Sequence, residues 1–144
     1  MEAQELHRGR LIDHIQLVVA DLAASRRFYD AVIGALGIPF GGEGESFFWI
    51  DELFVSSADS VAALGKLTGR HHLAFQAKDR AAVDAFYEAT LAAGGQDNGA
   101  PGERPYHPGY YAAFVLDPDG NNIEAVFHGQ AERSADSVTI TFES

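Results

Sequence analysis

Along this chain the apolar positions switch between two periods. Leu22, Phe28, Tyr29, Val32, Ile33 and Leu36 recur near every 3.6 residues, and Val83, Phe86, Tyr87 and Leu91 do so again later. Each set marks a helix with one apolar face, which must lie on a sheet. Asp21 and Asp79 stand where a carboxylate caps a helix start, and Gly37 and the pair Gly94, Gly95 stand where a helix ends. A short β-rich run precedes each helix, Leu11 to Val19 and His72 to Ala77. After the second helix, YYAAFVL and NNIEAVFH flank Asp117-Pro118-Asp119-Gly120, a turn sequence that predicts a β-hairpin. Gln96 to Pro108 reads as a loop. In the first half SFFWI and ELFVSS read as the later strands, Gly41 to Glu45 as too short for a full strand, and VTITF near the end as an added edge strand.

The two helical patterns belong to a repeat. Offsetting the chain by 58 positions aligns DHIQLVVADLAASRRFYDAVIGALG with HHLAFQAKDRAAVDAFYEATLAAGG, with nine identities over residues 14 to 37, including His14 with His72 and Asp21 with Asp79. Chance would give about two. The chain therefore reads as one domain, 1–144, made of a first module at 11–57 and a second at 70–128, joined by a linker from Ser57 to Gly69 and followed by an extension at 129–144. A unit of this size is marginal alone, so the copies must pair. The predicted fold is α+β: two paired β-α-β-β modules forming an open, cup-shaped mixed sheet with helices outside and a ligand cleft within.

Composition narrows the function. With 10 Lys and Arg against 21 Asp and Glu the formal charge is −11, so the long-range field repels phosphate backbones and nucleic acid is not an expected partner. The absence of cysteine excludes disulfides, thiolate metal sites and a cysteine nucleophile. The longest apolar run, Tyr110 to Leu116, is seven residues, far below the roughly 20 that span a bilayer. MEAQELHRGR has no signal-peptide pattern, so a cytoplasmic location is expected.

The chemistry then falls to histidines and carboxylates. His14 and His72 hold equivalent places at the first strand of each copy, so pairing brings both toward a shared axis. On its strand Glu124 shares a face with Asn122 and Val126 while Ile123, Ala125 and Phe127 face the other way, which turns the carboxylate to the cleft. A carboxylate there needs a partner or a cation. Two imidazoles and one carboxylate suit Fe(II), Mn(II), Ni(II) or Zn(II); the alternative is a pair of hydrogen-bonded core histidines and a solvated edge glutamate. Gln16 lies on the His14 face, either contacting a ligand oxygen or filling the sheet. GAPGERPYHPGYY could cover the cleft as a lid. It offers His107 and Tyr111 as proton carriers, and Arg104 and Tyr110 as substrate contacts, Arg104 for an anionic group. His128 falls about 13 Å along the strand from Glu124, too far to share its ion.

The segments around these residues, DHIQLVVADLAASRRFYDAVIGALGI, HHLAFQA and YYAAFVLDPDGNNIEAVFH, resemble the vicinal-oxygen-chelate superfamily, which includes glyoxalase I, extradiol dioxygenases, fosfomycin-resistance transferases and bleomycin-binding proteins. The resemblance implies that His14, His72 and Glu124 ligate a divalent metal and that a small substrate chelates it through adjacent oxygens. That would be a metal-dependent lyase or dioxygenase; the alternative is a non-catalytic, drug-sequestering binder. A glyoxalase I-like site adds a Glu or Gln from a later strand of the first copy, where this chain has Phe48, Trp49 or Ile50, with Glu45 and Glu52 the nearest carboxylates. An extradiol-like site places a tyrosine where Phe114 stands, and a fosfomycin transferase a threonine where Gln16 stands. Related chains often exchange halves, which brings in a homodimer.

Overall fold

The computed structural model describes residues 3–9, 12–60, 71–130, 132, 133, 135 and 137–143. Strand β1 (Ala3–Arg8) is followed by a first module of β2 (Ile15–Val19), α1 (Leu22–Leu36), β3 (Gly42–Glu43), β4 (Phe47–Ile50) and β5 (Leu53–Ser57). A second module follows, with β6 (His72–Gln76), α2 (Arg80–Ala92), β7 (Gln96–Glu103), β8 (Tyr111–Leu116) and β9 (Asn122–Phe127), and β10 (Val138–Glu143) closes the chain. Leu11, where the first strand was expected to begin, lies outside the described residues, as do residues 61–69 of the expected linker and residue 70 of the second module.

Both helices start and stop as the sequence predicts. The Asp21 and Asp79 carboxylates accept from the Ala24 and Ala82 amides at 3.0 and 2.7 Å, which satisfies donors that the first helical turn leaves unpaired. Gly37 ends α1 in the left-handed region at φ 72°, where a side chain would be strained.

Each module forms one mixed four-stranded sheet, ordered β2-β5-β4-β3 and β6-β9-β8-β7, with the first pair parallel and the others antiparallel. The α+β class therefore holds, with one strand more per module than expected. In the first module that strand is the two-residue β3, in the segment read as too short for a full strand; in the second it is β7, in the segment read as a loop. Its Gly and Pro residues argue against a strand, yet it pairs with β8 from Gln96↔Leu116 to Glu103↔Tyr111 by shifting register around Gly99. The C-terminal VTITF joins neither sheet; β10 pairs antiparallel with β1, Leu6 opposite Ile140.

One face of each sheet is apolar and closed. Leu17, Val19, Phe48 and Val55 of the first sheet, and Val115 and Ile123 of the second, join a single core with Phe28, Tyr29 and Phe86 of the helices. The two helices pack on each other within it. A buried bond ties the modules, Tyr29 Oη donating to Asp117 Oδ2 at 2.7 Å, and Asp117 also accepts from the amides of Asp119 and Asn121 and from Asn121 Nδ2. Among the described residues no ladder joins the sheets, so β2 and β6 are edge strands.

Candidate metal and ligand site

Strand alternation turns the other face of each sheet away from this core. On the second sheet that face carries His72 from β6, Phe114 from β8 and Glu124 from β9, with Phe114 directly opposite Glu124. Glu124 is 3% exposed, and both of its oxygens are engaged. His72 Nε2 lies 3.0 Å from Oε1, and the Tyr110 hydroxyl donates to Oε2. Burial and this bond to a carboxylate push the Tyr110 phenol up to about 12, so it remains a proton donor through the neutral range.

The histidine is oriented from behind. The Asn122 carbonyl lies 3.0 Å from His72 Nδ1; a carbonyl only accepts, so Nδ1 carries a proton and Nε2 faces the carboxylate. That arrangement requires a proton or a cation between the two. Ligand atoms on neighbouring positions of an ion, each about 2.1 Å from it and at a right angle, stand about 3.0 Å apart. The pair therefore fits a divalent ion.

The first sheet carries His14, Gln16, Trp49, Phe54 and Ser56 on its open face. Asp13 Oδ1 accepts from His14 Nδ1 at 2.7 Å, the carboxylate-histidine pairing that fixes an imidazole for metal binding, and this bond holds the Asp13 carboxyl below its ordinary range. Arg8 approaches the same carboxylate at 3.4 Å. His14 sits edge-on to Phe54 at 5.5 Å, and Trp49 stacks on Phe54 at 5.9 Å. Gln16 donates to Ser56 Oγ at 2.7 Å.

The structure thus brings together His72, Glu124 and Tyr110, and places His14 on the other sheet. Among the described residues no three His, Asp or Glu side chains stand together as a metal-holding group. Tyr111, expected as a proton carrier, projects from the opposite side of β8 and donates to Asp84 of α2 at 2.6 Å. Neighbours on a strand face opposite ways, and it is Tyr110 that reaches the carboxylate. His107 packs beside His128, Nε2 to Nδ1 at 3.0 Å, with the Tyr110 ring edge-on to both. His107 therefore reaches the Glu124 neighbourhood through Tyr110.

Register also identifies the counterpart of Glu124. Ala74 lies opposite Glu124; Gln16, its repeat mate 58 positions earlier, lies opposite Phe54. The first-module counterpart of Glu124 is thus Phe54 on β5, while Phe48, Trp49 and Ile50, to which the resemblance points, lie on β4. Glu45 is exposed in the turn before β4, and Glu52 lines a small apolar cavity with Tyr29 and Phe75. Asp13, adjacent to His14 in sequence, was the missed member, and its adjacency was the available signal.

A pair of modules with a histidine at each first strand, and a buried glutamate beside one of them, defines the vicinal-oxygen-chelate class of fold. Residues 11–125 match the profile of the Glyoxalase/Bleomycin resistance protein/Dioxygenase superfamily, and the chain belongs to it. It is similar to a glyoxalase/bleomycin resistance protein from Albidiferax ferrireducens T118, at 32% identity over 81% of this chain and 98% of that one, TM-score 0.65. A glyoxalase-related enzyme from Fulvimarina pelagi shares the fold at 23% identity over 91% of this chain and 97% of that one, TM-score 0.69. So does a lactoylglutathione lyase from Agrobacterium tumefaciens, at 22% identity over 81% of this chain and 92% of that one, TM-score 0.58. A comparison with curated proteins returns no match. Among the described residues no helix is long and apolar enough to cross a membrane.

Proposed function

We propose that this protein is a divalent-metal-dependent enzyme of the glyoxalase or dioxygenase type, and that its site is completed between two copies of the chain. His14 of one copy joins His72 and Glu124 of the other, on a small substrate that chelates the ion through adjacent oxygens. The observation that carries this reading is the Glu124 carboxylate, buried on the open face with the Nε2 atom of His72 3.0 Å from its oxygen. The separation of His14 from that pair within one chain, and the edge position of β2 and β6, support completion by a partner. Ile12 and Ile15, 44% and 36% exposed beside that edge, are apolar surface for a partner to cover.

The ion supplies Lewis-acid polarisation of the chelating oxygens when bound. The chain's own residues do the rest. Asn122 and Asp13 fix the two imidazoles, Tyr110 holds the unligated oxygen of Glu124 and keeps a proton beside the substrate, and His107 with His128 packs against the Tyr110 ring and holds it in place.

The test is subunit mixing. His14→Ala and Glu124→Ala are each expected to abolish metal binding in pure form. Unfolding and refolding the two together creates mixed dimers in which one cup has both wild-type contributions and the other lacks both. Metal content should return to about a quarter of wild type, since half the dimers are mixed and each regains one of two sites. No recovery rejects the shared site.

A second reading, sequestration of a small molecule without metal, is favoured by the aromatic wall of Trp49 and Phe54. Stabilisation by an aromatic ligand alone, unchanged by chelator, would select it.

A further inference from the structure

We propose that Arg104 is the anion-recognising residue of this site. Its substrate would be a planar, single-ring compound with vicinal oxygens on one edge and an acidic group on the opposite edge. The inference rests on the metal reading above and adds the substrate class to it.

In a chain with twice as many acids as bases, an arginine normally finds a carboxylate. Among the described residues none lies within ion-pair distance of Arg104: the neighbouring Glu103 turns to Arg80 of α2 at 2.6 Å. The Arg104 guanidinium is held instead by main chain, Nη2 donating to the Ala100 carbonyl at 2.7 Å. It lies 5.3 Å from the centre of the Phe114 ring. Strand β7 is built around this placement. Its register shifts fall between Asp97 and Gly99 and between Gly99 and Gly102, and a Cβ at either glycine would stand 3.3 or 3.0 Å from the guanidinium nitrogens. Two bulged glycines therefore make the cradle in which the cation rests.

The cradle faces the site. The Phe114 ring also stacks on His72 at 6.0 Å, so one aromatic ring separates the guanidinium from the metal-facing imidazole. A rigid molecule one ring wide spans that gap, chelating at one end and meeting a forked donor at the other. The stacked Trp49 and Phe54 give the facing module a surface for such a ring.

The matched probes are catechol and 3,4-dihydroxybenzoate, which differ only in the carboxylate. Calorimetric titration of the full-length protein loaded with Zn(II), an ion without redox chemistry, should show 3,4-dihydroxybenzoate binding at least about tenfold tighter, the return from one charge-assisted pair. Arg104→Gln should erase that preference while leaving catechol binding unchanged, and Arg104→Lys should restore part of it. Equal binding of the two probes to wild type, a preference that survives Arg104→Gln, or no binding of either probe to protein that retains zinc would overturn the role of Arg104 and leave the metal site standing. Failure to retain zinc would overturn both.

Discussion

His72 Nε2 and Glu124 Oε1 stand 3.0 Å apart while His72 Nδ1 is committed to the Asn122 carbonyl. Removing either partner takes away half of what one sheet offers an ion. His72→Ala and Glu124→Ala should each weaken divalent metal binding by more than about 100-fold, with an unchanged circular dichroism spectrum. Wild type should be isolated with close to one metal per site. Elemental analysis checks both statements, and metal retained at wild-type level in either variant refutes them.

Tyr110 fixes the second oxygen of the same carboxylate. Tyr110→Phe should cost about 10- to 100-fold in metal affinity, the usual effect of removing a group that orients a ligand. Its phenol, raised to about 12, should keep its proton beyond the ordinary tyrosine value of about 10. The tyrosinate absorbance titration of wild type and Tyr110→Phe should therefore coincide up to about pH 11 and part only above it.

Asp13 acts on the other half of the site. Asp13→Ala frees the His14 ring and should lower metal affinity by about 10- to 100-fold while leaving the association state of the wild type unchanged. Comparing metal titrations with sedimentation separates this effect from loss of assembly.

The Tyr29 to Asp117 bond is a stability element. Tyr29→Phe should destabilise the protein by about 1 to 3 kcal/mol, since Asp117 loses one of its buried donors. Burial and the adjacent carboxylate raise the Tyr29 phenol well above its ordinary value. Below pH 10 both folded and unfolded chains hold the proton and the contribution is complete; above pH 10 the unfolded chain releases it first, so stability falls as pH rises. Urea melts from pH 8 to 11 should show this decline in wild type and a shallower one in Tyr29→Phe.

Much of this fold could be read from local pattern. The 58-residue repeat, the Asp caps and the hairpin turn are encoded over a few residues each, and the structure realises them. Strand β7 escaped because its stability comes from pairing with β8 and from bulges at glycines whose sequence signal is that of a loop. Pairing of β1 with β10 joins opposite ends of the chain and has no local signature. In the site, alternation along β9 turns Glu124 to the open face; Tyr110 and Tyr111 enter the sequence reading of the site only as members of a loop, whereas alternation back from Phe114 places Tyr110 on the Glu124 side and Tyr111 on the helix side. The repeat placed His14 and His72 in equivalent positions within their modules and carried no information on which modules face each other.

The repeat equivalence of Glu124 and Phe54 makes the open faces of the two sheets unlike. A vessel with identical walls would accept a guest equally well after a half-turn. Here one face offers an oxygen donor and the other a hydrocarbon surface, so a guest bound between such faces would have a single preferred way to sit. The duplicated architecture thus combines two related sheets whose open faces differ in polarity at one equivalent position.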